Sequence, residues 1–194
     1  QHNWSVKDIL YHIGLWDQRL VENLQAALAG MPQVDYSQYL AINDQDFSDY
    51  EKRNWQEVEE ILHSSNRELL QVLAQISEQQ LESPDFLEGS EGRPAWRNLS
   101  GVMLGHPVLH ICEYLVAQGK TDQGFQIMLD FTEKERALDE GDDWQGLQSY
   151  NQACYYALAG YKPQAQEKLA EALNLNPGLE EWSKQDADLA SLRV

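Results

Sequence analysis

Gly105-His106-Pro107-Val108-Leu109-His110-Ile111-Cys112-Glu113 stands near the middle of a chain of 194 residues. Written on a helix, it sets His106 and His110 on one face, one turn apart, with Glu113 continuing that face. The wider stretch, from about Leu99 to Gln118 and closed by Gly119, puts Leu99, Val102 and Leu109 on the histidine side. Leu104, Val108, Ile111 and Leu115 fall on the other side. A helix apolar on two sides belongs at the centre of a bundle, so the stretch predicts an all-α protein. Imidazoles directed into such surroundings are costly unless hydrogen-bonded or metallated. Two of them one turn apart can share a divalent ion if a third ligand arrives from another helix and one position stays open. Pairs at this spacing also arise by chance in helix-rich chains. Pro107 complicates the geometry: it has no N–H to donate and disfavours the α region at His106. The helix is therefore expected to kink there, or to restart at Pro107 with His106 as its cap.

Upstream, Ser5 and Asp8 form a capping-box-like start. Val6, Ile9, Leu10, Ile13, Trp16, Leu20, Leu24, Ala27 and Leu28 then recur as one helical stripe, ended by Gly30 and Pro32. His12 projects from the edge of that stripe, one turn before Trp16, where an ordinary half-buried histidine would also sit. Residues 31–43 read as an irregular connection, long enough to cover a site. A second helical pattern runs from about Asp44 to Ile76, with Trp55, Val58, Ile61, Leu62, Leu69, Leu70 and Leu73 on its apolar face. His63, among Ser64, Ser65 and Asn66, reads as surface. Pro84, Gly89, Gly92 and Pro94 break regular structure before the central helix.

Downstream, a helix over about Thr121 to Leu138 leads through the acidic turn Asp139-Glu140-Gly141-Asp142-Asp143. The composition changes there, predicting a boundary that separates residues 1–140 from 141–194. Ala153, Tyr156, Gly160, Ala165, Leu169, Ala172 and Pro177 fall at the separations of a tetratricopeptide helix hairpin. Ser149 and Gln152 depart from that pattern, which expects large apolar residues. A single repeat cannot bury its faces alone, so the hairpin is expected to dock on the preceding helices or on another chain. Residues from Glu180 to Leu192 are expected to close it, anchored by Trp182, Leu189 and Leu192.

With 42% hydrophobic residues and six prolines, the chain can bury one substantial core plus a small appendage. Its 32 acidic against 14 basic residues give a net charge of -18, which would repel nucleic acid and anionic membranes alike. No uninterrupted apolar run approaches the roughly 18 to 20 residues of a membrane span, and Gln1-His2-Asn3-Trp4 does not open a secretory leader. Without an initiator Met, the numbered chain is expected to follow a segment not included in it. Two cysteines, Cys112 and Cys154, each in a helical stretch, give no disulfide framework and fit a reducing cytoplasm. No Ser-His-Asp or Cys-His constellation, phosphate-cradling glycine loop or CxxC pair is present.

Trp4-Ser5-Val6-Lys7-Asp8-Ile9-Leu10-Tyr11-His12, Ala41-Ile42-Asn43 and Gly105-His106-Pro107-Val108-Leu109-His110 together resemble the DinB-like family of four-helix bundles. That family has a Trp-Ser-x-x-Asp start before a helix with the first metal-binding histidine, and a His-x-x-x-His pair on a later helix. The resemblance covers residues 3 to 138 or so. It implies an up-down helical bundle whose metal ligands are His12, His106 and His110, holding a nickel-, zinc- or iron-class divalent ion. Relatives include transferases and isomerases that use a low-molecular-weight thiol. Two features depart from the family pattern: Pro107 inside the histidine pair, and the family's first bundle helix, which precedes the Trp-Ser start and is absent here. Either that helix lies outside this chain or the C-terminal helices fill its place.

Two functional readings are open. In the first, a cytoplasmic metalloprotein catalyses a thiol-dependent transfer or a metal-assisted hydrolysis of a small molecule, with Glu113 orienting an imidazole or acting as a base. Glu113 also fits an ordinary polar contact to a neighbouring helix. In the second, a non-catalytic scaffold uses the tetratricopeptide-like hairpin to bind a partner or a second copy as a homodimer.

Overall fold

Ser5 starts the first helix, α1 (Val6–Ala29), through a capping box: its side chain accepts from the Asp8 N–H, and the Asp8 carboxylate accepts from the Ser5 N–H at 2.8 Å. Gly30 ends α1 in the left-handed region at φ 65°, a conformation open to a residue without Cβ. The computed structural model describes residues 4–50, 52–90 and 92–193, and its regular structure is helical, with no strand among the described residues. Gln1-His2-Asn3, read for a leader, lies outside them. By its contacts the chain divides into two units, Gln1–Pro107 and Val108–Val194. The acidic turn near residue 141 lies inside the second.

In the first unit α1 is followed by α2 (Tyr39–Tyr50), α3 (Trp55–Leu73), α4 (Glu78–Glu82) and α5 (Ala95–Ser100). The chain from 39 to 43, expected as loop, is helical, and the pattern from Asp44 to Ile76 is two helices rather than one. Asn54 causes the break: it caps α3 with Glu57 as reciprocal partner, which fixes a new start there. α1 packs chiefly on α3. Gly14 allows the approach, since a Cβ there would stand 3.2 Å from Ile61 Cγ2 and 3.3 Å from the Leu62 backbone. Val21, Leu24, Leu69, Val72, Leu87, Ala95 and Leu99 form the buried core of this unit.

The helix expected to start at Leu99 begins four residues earlier and runs without a break through α5, a π-helical turn (Gly101–Gly105) and α6 (His106–Ala117). Pro107 does not interrupt the helical structure, and His106 does not start a new helix as an N-terminal cap. His106 keeps α geometry (φ -61°, ψ -50°), and its N–H bonds the Gly101 carbonyl five residues back. The wider π turn gives the proline ring room where an α ladder would clash. The stretch Ala95–Ala117 is, by length and composition, long and apolar enough to cross a membrane, although no uninterrupted apolar run of that length occurs in it. Nor is it buried on both sides: Cys112 is the buried residue of α6, while Leu104 and Ile111 are 51% and 41% exposed.

The second unit continues with α7 (Thr121–Arg136), α8 (Asp142–Leu158), α9 (Lys162–Leu175) and α10 (Glu180–Ser183), with short 3-10 turns at Pro177–Leu179 and Ala187–Leu192. α8 and α9 make a helix hairpin. Ala153, Ala165 and Ala172 are buried between them, and Tyr156 and Leu169 flank that core. Gly160 turns the chain at φ 84°. Ser149 and Gln152, polar where apolar residues were expected, are both buried. The Ser149 hydroxyl accepts from Arg136 of α7 and donates to Glu171 of α9, so it joins three helices. Of the three anchors expected for the closing segment, Leu189 is fully buried and Leu192 partly so. Trp182 is 53% exposed and anchors nothing, because the Asp186 cap turns the chain and presents Leu189 instead.

Candidate metal centre

His12 is not at a half-buried edge. It is 1% exposed, among the most buried side chains of the chain. Trp4, which precedes the Ser5 cap, meets its ring edge-on at 4.6 Å, and Trp16, one turn further along α1, at 6.2 Å. The Nε2 atoms of His12 and His106 lie 3.0 Å apart. Two lone pairs cannot share that distance unsupported. Either one ring carries a proton and donates it to the other, or one cation receives both. Two nitrogens each about 2.1 Å from one ion stand about 3.0 to 3.4 Å apart for octahedral to tetrahedral angles, so the separation fits common ligation.

His110 follows one turn after His106 on the same continuous helix, which fixes its place relative to that ring. Its Nδ1 lies 3.2 Å from Glu113 Oε2. With Nδ1–H donated to the carboxylate, Nε2 is left as the ligand atom, the arrangement that orients many metal-binding imidazoles. One ring nitrogen from each of His12, His106 and His110 lies within 4.8 Å of the others. All three residues picked out in the sequence are thus brought together, and Glu113 touches His110.

No family model, curated protein or solved structure matches the chain. The reading of the site therefore rests on its own geometry. Trp16 stands 6.4 Å from the His106 ring, and its indole N–H donates to Asn43 Oδ1 of α2 at 3.0 Å. Arg19, one turn beyond, lies over the Trp16 ring at 4.9 Å and pairs with Asp46 of α2 at 2.8 Å. Sequence reading missed Arg19 and Asp46; the sign available was spacing, since His12, Trp16 and Arg19 recur at one helical face. Asp17 was missed as well. It sits in the buried stripe between Ile13 and Val21, and desolvation pushes its carboxyl up to about 6.

Cys154, Asp186 and Asp188 form a second close group. Tyr150 donates to Asp186 Oδ2 at 2.7 Å, the Cys154 thiol lies 3.7 Å from the same oxygen, and Asp186 Oδ1 accepts from the Asp188 N–H. Burial pushes the thiol well above its ordinary range and Asp188 up to about 6. These bonds fix Asp186 at the start of the last turn, with Asp188 contributing its backbone N–H. An open groove lined by Tyr11, Arg53, Ile61, His63 and Arg67 contains none of the three candidate histidines, and His63 is exposed as expected.

Proposed function

We propose that the protein is a DinB-like divalent-metal protein in which His12, His106 and His110 hold the ion. The observation that carries this reading is the 3.0 Å approach of the His12 and His106 Nε2 atoms in a buried, aromatic-walled place, with a third imidazole one turn away. A nickel-, zinc- or iron-class ion bound there supplies a Lewis-acid position, suited to lowering the pKa of water or holding a substrate thiolate. The chain's own residues do the rest. Glu113 accepts from His110 Nδ1 and selects its tautomer, and Trp4 and Trp16 keep bulk water from His12. The reaction class we favour is a thiol-dependent transfer, with a metal-assisted hydrolysis of a small molecule as the other chemistry open to the same donors, in a reducing cytoplasm.

Elemental analysis of protein purified without a polyhistidine tag or a nickel column tests this. The expected result is near one equivalent of ion, lost in His110→Ala with helical circular dichroism unchanged. Absence of bound ion after loading with zinc, nickel and iron(II) overturns it. A scaffold role for the tetratricopeptide-like hairpin is the second reading, favoured by the exposed Leu138, Tyr161 and Trp182 of that unit. It predicts self-association or partner binding that His110→Ala leaves intact.

A further inference from the structure

The covering of His12 raises the question of how anything reaches it. Trp16, one of the two indoles against its ring, is held by α2 rather than by α1 alone, through the Asn43 bond. One turn on, Arg19 bonds Asp46 at 2.9 Å while lying over Trp16. On α2 itself no described side chain is buried: Leu40 is 67% exposed, and Ile42, Asn43, Asp46 and Phe47 are only half-buried. Phe47 stacks on Trp4, the other indole, at 6.3 Å. α3, by contrast, buries Val58, Leu69 and Val72. Phe47 also packs at the margin of the Tyr11 and Val58 cluster, but an element without a fully buried described side chain opens more readily than one that carries core.

We propose that α2 is a gate over His12 and His106, latched by Trp16–Asn43 and Arg19–Asp46, and that its opening sets how fast ligands of the site enter and leave. The proposal rests on the metal-centre reading for the identity of the ligand, but not for the motion. The latch residues touch Trp16 and Arg19, not the histidine nitrogens. Loosening them lowers the barrier to passage in both directions and leaves the closed site unchanged.

Two variants test it, Asn43→Ala and Asp46→Ala, each removing one latch side chain of α2. A hydrogen bond of this kind shifts an opening equilibrium by roughly 3- to 10-fold, and loss of one partner of the mostly buried Arg19–Asp46 pair by at least that. In metal-free protein, carbethoxylation of His12 by diethyl pyrocarbonate, followed by peptide mass spectrometry, should accelerate by that factor, with exposed His63 unchanged as internal control. In stopped-flow with zinc, association and dissociation should accelerate together and Kd should stay within twofold. An unchanged His12 rate overturns the gate. So does a weaker Kd arising from dissociation alone, which would make Asn43 and Asp46 supports of the closed site. Faster His12 modification in a protein that binds none of zinc, nickel and iron(II) supports the gate and overturns the metal reading.

Discussion

Replacing Glu113 isolates the part of the site that a chance pair of histidines would lack. Carboxylates that fix the tautomer of a ligating imidazole are worth about 10- to 100-fold in metal affinity. Here the contact is 3.2 Å, longer than the roughly 2.7 to 2.9 Å of a strong charge-assisted bond. The Glu113 side chain is 39% exposed and that of His110 18%, so water competes for the carboxylate. Both facts place Glu113→Ala at the low end, about 10-fold weaker zinc binding, or about 1.4 kcal/mol. Glu113→Gln keeps an acceptor oxygen and loses the charge, so it should fall between that value and the wild type.

The assay is competition with a chromophoric chelator at pH 7. Differences in helix propensity among Glu, Gln and Ala are a few tenths of a kcal/mol, too small to confound it. Raising salt should narrow the gap between wild type and Glu113→Gln, because a partly exposed charge is screened. If both variants bind zinc within twofold of wild type while His110→Ala loses the ion, Glu113 is a surface acid that happens to lie near a ligand. The tautomer argument then fails.

Asp17→Asn should stabilise the protein at pH 7. Burial raises the native carboxyl from 3.8 to about 6, so the native state holds its proton more tightly than the unfolded chain. The associated stability is present below pH 4 and lost as pH rises through 6, on the order of 1 to 3 kcal/mol. Urea unfolding should show the variant's advantage at pH 7 and its disappearance by pH 4; an advantage independent of pH would refute the assignment. Gly124→Ala would bring a Cβ to 2.6 Å from Tyr155 Oη, whose hydroxyl donates to the Thr121 carbonyl, and to 3.3 Å from the Cys112 carbonyl. It should cost about 1 to 3 kcal/mol in chemical denaturation, and a neutral result would mean that α7 and α8 pack differently. Leu189→Ala should cost about 2 to 5 kcal/mol and Trp182→Ala close to nothing; the reverse order would restore Trp182 as the anchor.

Legible in the sequence was whatever left a periodic apolar trace or a local cap. α1 announces itself through Ser5, Asp8, a long apolar stripe and Gly30. The α8–α9 hairpin does so through small residues at fixed separations and Gly160. α2 left no such trace because none of its described side chains is fully buried: beside the partly buried Phe47, its hold on α1 is the Asn43 and Asp46 side chains, and polar latches have no period. Trp182 misled for the opposite reason, since size suggested an anchor whereas burial depends on where the Asp186 cap sends the chain. At the site, residue type and spacing picked out His106 and His110 as a pair, and His12 joined them only through the resemblance to the DinB-like family. The full burial of His12 was not legible, because it depends on Trp4 folding back from ahead of the helix cap.

Pro107 shows why fixed-period projection picked out the histidine pair and misjudged the helix that carries it. A projection at constant period puts Leu99 and Val102 beside His106 and His110, and assigns Leu104 and Ile111 to a second buried face. The π turn inserts about one residue into the ladder between these groups, rotating the upstream segment by about 100° against the downstream one. Leu99 can then face the core of Val21, Leu24 and Leu69 while His106 meets His12 on α1. Leu104, inside the π turn, is left 51% exposed. The proline that made a shared face for the two histidines doubtful is separated from His110 by two ordinary helical residues, Val108 and Leu109. The phase shift is therefore complete before the pair begins, and His106 and His110 keep their one-turn relation.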